Sequence, residues 1–226
     1  MPFGPDAVRA RAAAGKILVA DFPLVCLYAV GLACHLMPSA RSIMLRATPI
    51  ALLLTAALVA ASLAQERAGK AFAWAAVAFV AGFSIEVIGV ATGAVFGSYT
   101  YGTALGPKLL DVPLVIGVNW AIVILGAVTL VTRFLSHPLA AALAAGVLTA
   151  GFDWVMEPVA VRLGYWQWAQ GTIPIRNYAA WFLIAAVLSF GFAVLRPRVK
   201  TWAPAAAFLL QLVFFAALRI AGTDTP

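Results

Sequence analysis

The chain alternates between long apolar runs and short polar joints. Windows of about 19 residues mark seven candidate membrane spans, at 17–37, 44–64, 71–95, 112–132, 138–157, 177–195 and 202–221. A helix rises about 1.5 Å per residue, so each run can cross the hydrocarbon core, where only helices and closed barrels satisfy their own backbone. The pattern predicts an all-α integral membrane protein, a bundle of about seven transmembrane helices in one domain over residues 1–226. The joints at 65–70, 133–137 and 196–201 are short, whereas 96–111 and 158–176 are long and rich in aromatics, glycine and proline. The two long joints follow spans 3 and 5 and therefore lie on the same face.

Composition agrees: 64% hydrophobic residues against 10% charged, with mean hydropathy +1.01, leave too little polar surface for a water-facing exterior. Lys and Arg number 15 against 8 Asp and Glu. The cations sit singly or in small groups at the ends of apolar runs, as membrane-edge anchors and orientation signals, so no nucleic-acid partner is expected. Arg67, Lys70, Arg133, Arg196, Arg198 and Lys200 in the short joints, with Arg9, Arg11 and Lys16, put nine cations on one face. Arg41, Arg46, Lys108, Arg162, Arg176 and Arg219 put six on the other. The bias predicts a cytoplasmic N-terminus. The basic N-terminal stretch has the look of a signal peptide, but the following run contains Asp21 and ends at Pro38 without a small-x-small cleavage site, which predicts a retained first span. Cys26 and Cys34, eight residues apart, have neither disulfide nor metal-ligand spacing and read as small core residues.

Three acids interrupt these spans: Glu86, Asp153 and Glu157. Each costs about 2.5–3.5 kcal/mol at a bilayer centre even on the lenient scale, so each needs a partner or a task. In span 3, steps of four, three and four residues align Gly82, Glu86, Gly89 and Gly93 on one face, where small residues admit a neighbouring helix. In span 5, Asp153 and Glu157 are i,i+4 and share a face, with Pro158 favouring an end or distortion of the helix just there. Two carboxyls this close in a low dielectric resist double ionisation, so one keeps a proton, and the pair offers an acid beside a base. Spans 3 and 5 run toward the same face, which gathers all three acids beneath the long joints. Those joints carry Tyr99, Tyr101, Trp166 and Trp168, followed by Arg176, Asn177, Tyr178 and Trp181. Ring faces stabilise a cation within about 6 Å, so acids ringed by Tyr and Trp suit protonation of an alkene. The expected arrangement is one pocket lined by Tyr99, Tyr101, Trp166 and Trp168, with Asn177 and Arg176 tuning the carboxyls.

The chain has no aspartate-rich pair for a diphosphate-bound metal, no glycine-rich dinucleotide fingerprint and no histidine cluster. No metal and no cofactor is expected. His35 reads as interfacial, and His137 as a turn residue on the opposite face.

The run from Glu86 through Gly89, Gly93, Phe96, Gly97, Tyr99, Tyr101, Gly102, Leu105 and Gly106 to Val112-Pro113 and Asn119-Trp120 resembles the membrane carotenoid biosynthesis proteins that include the carotenoid hydratases of bacteria and halophilic archaea. So does Asp153-x-x-x-Glu157-Pro158 with Gly164-Tyr165-Trp166-x-Trp168, Pro174 and Asn177-Tyr178-x-x-Trp181. The resemblance spans residues 80–182, the core that carries the site; the outer helices match in hydropathy only. It implies addition of water across the terminal isopropylidene double bond of an acyclic carotenoid to leave a tertiary alcohol, in a bacterial inner (plasma) membrane. It adds Asn119 and Trp120 to the candidate substrate contacts. The partners are then a lipid-soluble carotenoid, water and membrane lipid, with a homo-oligomer or a complex of pathway enzymes as a further option. Within this reading Asp153, one turn deeper than Glu157, is the expected general acid; Glu157 orients the water, and Glu86 stabilises the cation or shares the proton. The competing readings are a carotenoid end-group cyclase, whose cation is captured by a neighbouring double bond, and a proton-coupled transporter, for which the chain shows no inverted repeat.

Overall fold

The computed structural model describes the backbone of residues 5–222 and the side chains of residues 21–222. Among the described residues seven helices form the bundle: α1 Pro5–Leu36, α2 Pro38–Gln65, α3 Gly69–Thr92, α4 Leu114–Val131, α5 Pro138–Arg162, α6 Ile175–Leu195 and α7 Ala203–Ala221. Helices α2 to α7 are long and apolar enough to cross a membrane, and α1 adds an apolar stretch over Asp21–Leu36. The chain is a multi-pass membrane protein. Its outward side chains are apolar, as lipid contact requires: Ile43, Val80, Val147 and Val187 are all exposed. Proline sits at the N1 or N2 position of α2, α5 and α7, where its missing N–H costs nothing. The side chains of Arg9, Arg11 and Lys16, counted toward the cationic face, lie outside the described residues.

Helix α4 is the hub. It packs against α2, α3, α5, α6 and α7 and buries residues on all sides, Val115 to Val131, which explains a run with no charge. On one face of the bundle the short joints converge: Arg133 donates to the carbonyl of Thr201 at 2.5 Å and lies 3.9 Å from the centre of the Trp202 ring, while the Lys200 N–H donates to Glu66.

The opposite face holds the long joints, and they are not irregular. β1 Tyr99–Tyr101 pairs antiparallel with β4 Trp166–Trp168, setting Tyr99 opposite Trp168 and Tyr101 opposite Trp166. A second hairpin joins β2 Lys108–Leu109 to β3 Val112–Pro113 through Leu110 and Asp111, both at positive φ as a primed two-residue turn requires. The helical expectation for this chain thus omitted two small ribbons. In both β1 and β4 the outer residues are buried and the middle one exposed, the period of two that Tyr-Thr-Tyr and Trp-Gln-Trp spell out.

Several further expectations change. Helix α5 does not end at Pro158 but continues to Arg162. Proline removes the N–H that would bond the carbonyl of Trp154, four residues back; Arg219 of α7 donates to that carbonyl at 2.5 Å and stacks 4.1 Å over the Trp154 ring. Helix α3 stops at Thr92 because Gly93 turns left-handed (φ 64°) and caps onto the Gly89 carbonyl. Cys26 is exposed and Cys34 half-buried, not core: α1 turns Leu24, Gly31 and His35 inward, and Cys26 lies off that stripe. His35, in the last turn of α1, is buried against the bundle at 3% exposure.

Candidate active site

On α3 the glycine stripe does two jobs. A Cβ on Gly82 would stand 2.6 Å from the Cβ of Trp120, so glycine lets α4 press against α3. Gly89 and Gly93 admit not a helix but the returning chain, at Phe96 and Ser98. One turn beyond Gly82, Glu86 is 4% exposed, and Trp120 donates its Nε1–H to Oε1 at 2.8 Å. The other oxygen, Oε2, accepts both phenols of β1: Tyr101 at 2.8 Å, and Tyr99. Burial and the facing Glu86 carboxylate push both phenols well above their ordinary range, so they stay O–H donors.

Glu157 on α5, 3% exposed, is held by β4 in the same way. Trp166 and Trp168 each donate Nε1–H to Oε2 at 3.0 Å. Residues two apart on a strand point the same way, which is why one strand supplies both donors to one oxygen. Asn177, in the first turn of α6, then spans the i,i+4 pair: its Nδ2 donates to Asp153 Oδ2 at 2.6 Å and to Glu157 Oε1 at 3.3 Å. The two acids are therefore less than two hydrogen-bond lengths apart. Asp153 is fully buried, and its Oδ1 closes no hydrogen bond.

Between the two clamps lies a cavity of about 30 Å³. One water needs about 10–15 Å³ on this measure, so it has room for roughly two. Glu86 and Glu157 border it, with Tyr99, Tyr101, Asn119, Trp120, Trp166, Trp168, Asn177 and Trp181. Trp120 and Trp181 stack at 3.9 Å, and the Tyr99 and Trp168 rings meet at 5.0 Å. Asp153 does not border the cavity; it stands behind Asn177. Arg176 is exposed and Tyr178 half-buried, and neither lines the cavity. Arg162 also turns elsewhere, to the Leu218 carbonyl at 3.0 Å. Phe96, Ile116 and Met156 also line the cavity; none is among the site residues expected from the sequence, where Phe96 enters only as part of the family motif. Helical spacing held the signal for two of them: Ile116 is three residues before Asn119, and Met156 three after Asp153.

The profile of a family described as carotenoid biosynthesis protein matches residues 47–223, from α2 through the whole of both clamps to the end of α7. The chain belongs to the carotenoid biosynthesis protein family. The chain is 36% identical over 132 residues to the bisanhydrobacterioruberin hydratase of Haloarcula japonica, an alignment covering 52% of this chain and 45% of that protein. The chain thus spans less than half the length of that curated relative. No solved structure matches it.

Proposed function

We propose that this protein is a hydro-lyase that adds water to the terminal double bond of an acyclic carotenoid end. The observation that carries the reading is a small, water-sized cavity bordered by two carboxyls and a ring of indoles and phenols, inside a mainly apolar bundle. The named activity of the Haloarcula japonica relative supports the reaction class.

Hydration of a trisubstituted alkene transfers one proton to the less substituted carbon, leaves a tertiary cation, and closes when water bonds to that cation and returns a proton. Glu86 receives three hydrogen bonds and Glu157 three, whereas Asp153 receives one. Donors favour the ionised form, and the two adjoining carboxyls of Asp153 and Glu157 resist double ionisation, so the transferable proton belongs to that pair. Asp153, the general acid expected from the sequence, does not border the cavity. In this reading the acid role therefore passes to Glu157, whose Oε1 receives one long bond from Asn177 and presents the proton, while Asp153 acts as a positioning and reloading partner from behind. Glu86 remains the anion that steadies the cation together with the aromatic faces and accepts the proton of the incoming water. The proton returned to Glu86 then re-equilibrates with the pair, and the site is restored.

The short cationic joints are assigned to the cytoplasmic side of a bacterial plasma membrane and the paired strands to the other, as the positive-inside rule favours. A reporter in the 133–137 joint reading outside the cytoplasm, or one in the 163–174 joint reading inside it, would overturn that assignment. The activity itself is tested by co-expression in a lycopene-producing bacterium, with pigments analysed by mass. A gain of one water supports the hydratase; an isomer of unchanged mass would identify a cyclase; unaltered lycopene with its derivatives in a strain supplying other acyclic carotenoids would remove both.

A further inference from the structure

Beside the acid cavity lies a second one, of about 80 Å³, which the proposed proton chemistry does not use. It is lined by side chains of α1, α2, α4, α5 and α7 and of the two long joints, and shares Ile116, Asn119, Met156 and Trp166 with the acid cavity. Those four side chains form a wall common to both. At about 10–15 Å³ per water-sized group, it takes roughly six such groups, the size of a branched isoprenoid end.

Its wall is apolar apart from a few side chains, and two of these are almost wholly buried: His35 at 3% and Gln211 at 1% exposure. His35 Nδ1 lies 2.7 Å from the Gly31 carbonyl. A carbonyl only accepts, so Nδ1 carries the hydrogen and the neutral ring presents Nε2 as an acceptor. Nε2 closes no hydrogen bond. Gln211 lines this cavity with Tyr28, whose hydroxyl lies 3.1 Å from Thr55 Oγ1, and neither the amide nitrogen nor the oxygen of Gln211 closes a hydrogen bond. Asn119 Oδ1, on the shared wall, is likewise unpaired. A buried polar atom without a partner bears its full desolvation cost, and Phe or Leu of similar size would avoid it. An acceptor and an amide donor on one apolar cavity complement a single hydroxyl, which gives its hydrogen to His35 and takes one from Gln211.

We propose that this second cavity binds a hydroxylated isoprenoid end, with the hydroxyl on His35 and Gln211 and the methyl groups against Phe214 and Met156. Resting on the hydration reading, the natural occupant is the tertiary alcohol formed across the shared wall. The acid cavity has room for about two water-sized groups, so only the tip of that end reaches it across the shared wall, and the alcohol is held past Met156 in the second cavity while the next water enters.

The test is binding to the purified full chain in lipid nanodiscs, with dihydromyrcenol as the alcohol probe and its dehydrated parent, dihydromyrcene, as the apolar control. Both partition into lipid, so the quantity read is the ratio of their saturable affinities, followed by tryptophan fluorescence. The wild-type chain is expected to favour the alcohol by about tenfold, one good hydrogen-bonded hydroxyl, and His35→Phe/Gln211→Leu to bind the two alike while keeping the diene. Gln211→Leu alone, expected to lose about half of that preference on a logarithmic scale, carries the test should the double variant not fold. Equal affinities in the wild-type chain, or a preference untouched by both variants, would overturn the proposal. A preference for the alcohol in a protein that hydrates no carotenoid would leave this cavity site standing and remove the hydration reading.

Discussion

Glu86 and Glu157 sit on different helices, yet each receives two hydrogen bonds on one carboxyl oxygen from aromatic residues two apart on a strand. The donors differ. The β1 phenols on Glu86 can donate or accept, whereas the β4 indoles on Glu157 only donate. A protonated Glu86 could thus turn a tyrosine hydroxyl around and keep its bonds. Glu157 has no such freedom at Oε2, and any proton it carries must sit on Oε1, where Asn177 reaches to 3.3 Å. One clamp is adaptable and suited to taking up a proton; the other fixes which oxygen can give one away.

The contrast breaks most visibly at the proton source. Glu157→Gln removes the donor while leaving an amide of the same shape, and hydration of a carotenoid by co-expressed protein is expected to fall by about 10³-fold, within the range for general acid catalysis. Asp153→Asn is expected to cost nearly as much. Glu86→Gln keeps an acceptor for the phenols but loses the charge, and a fall of about 10²-fold is expected, comparable to losing one preorganised electrostatic group. A larger loss at Glu86 than at Glu157, measured as hydrated pigment per unit of protein, would reverse the two roles.

The clamps are also expected to differ in stability. Tyr101→Phe removes only a hydroxyl, and a loss of about 1.5–3 kcal/mol, the scale for a hydrogen bond to a charged group, should appear in unfolding of the detergent-solubilised protein. Trp168→Phe removes the N–H and leaves a void as well, so its cost should exceed that of Tyr101→Phe. Gly82→Ala would force Trp120 away from α3, where the new Cβ has 2.6 Å; overpacking of this kind costs about 1–3 kcal/mol. The smallest effect is expected at Arg176→Ala: the residue is exposed and off the cavity, and hydration should stay within about twofold of wild type, as for surface changes generally.

How far the sequence led depends on which signal each part left. The helices were legible because an apolar run of membrane length has few other fates. The acids were legible because their transfer cost forbids them in lipid without compensation. The paired strands were not read, although Tyr99-Thr100-Tyr101 and Trp166-Gln167-Trp168 alternate with a period of two, because three residues are too few to distinguish a strand from interfacial aromatics. Asp153 and Glu157 were seen to share a helix face, but only the position of Asn177 on α6 reveals that one borders the cavity and the other stands behind it. Arg176 shows the limit of proximity in sequence: it adjoins Asn177 yet points away, since neighbours on a helix diverge by about 100°.

The order in which the clamps are synthesised has its own consequence for biogenesis. The partners of Glu86 come 13, 15 and 34 residues after it, and those of Glu157 come 9, 11 and 20 after. Every donor leaves the ribosome later than the acid it serves, so α3 must enter the bilayer with its carboxyl uncompensated, and β1 finds no strand to pair with until Trp168 has been made. Early truncations are therefore expected to leave α3 exposed to quality-control proteases, and the nascent protein to become resistant only after the chain has grown past Asn177.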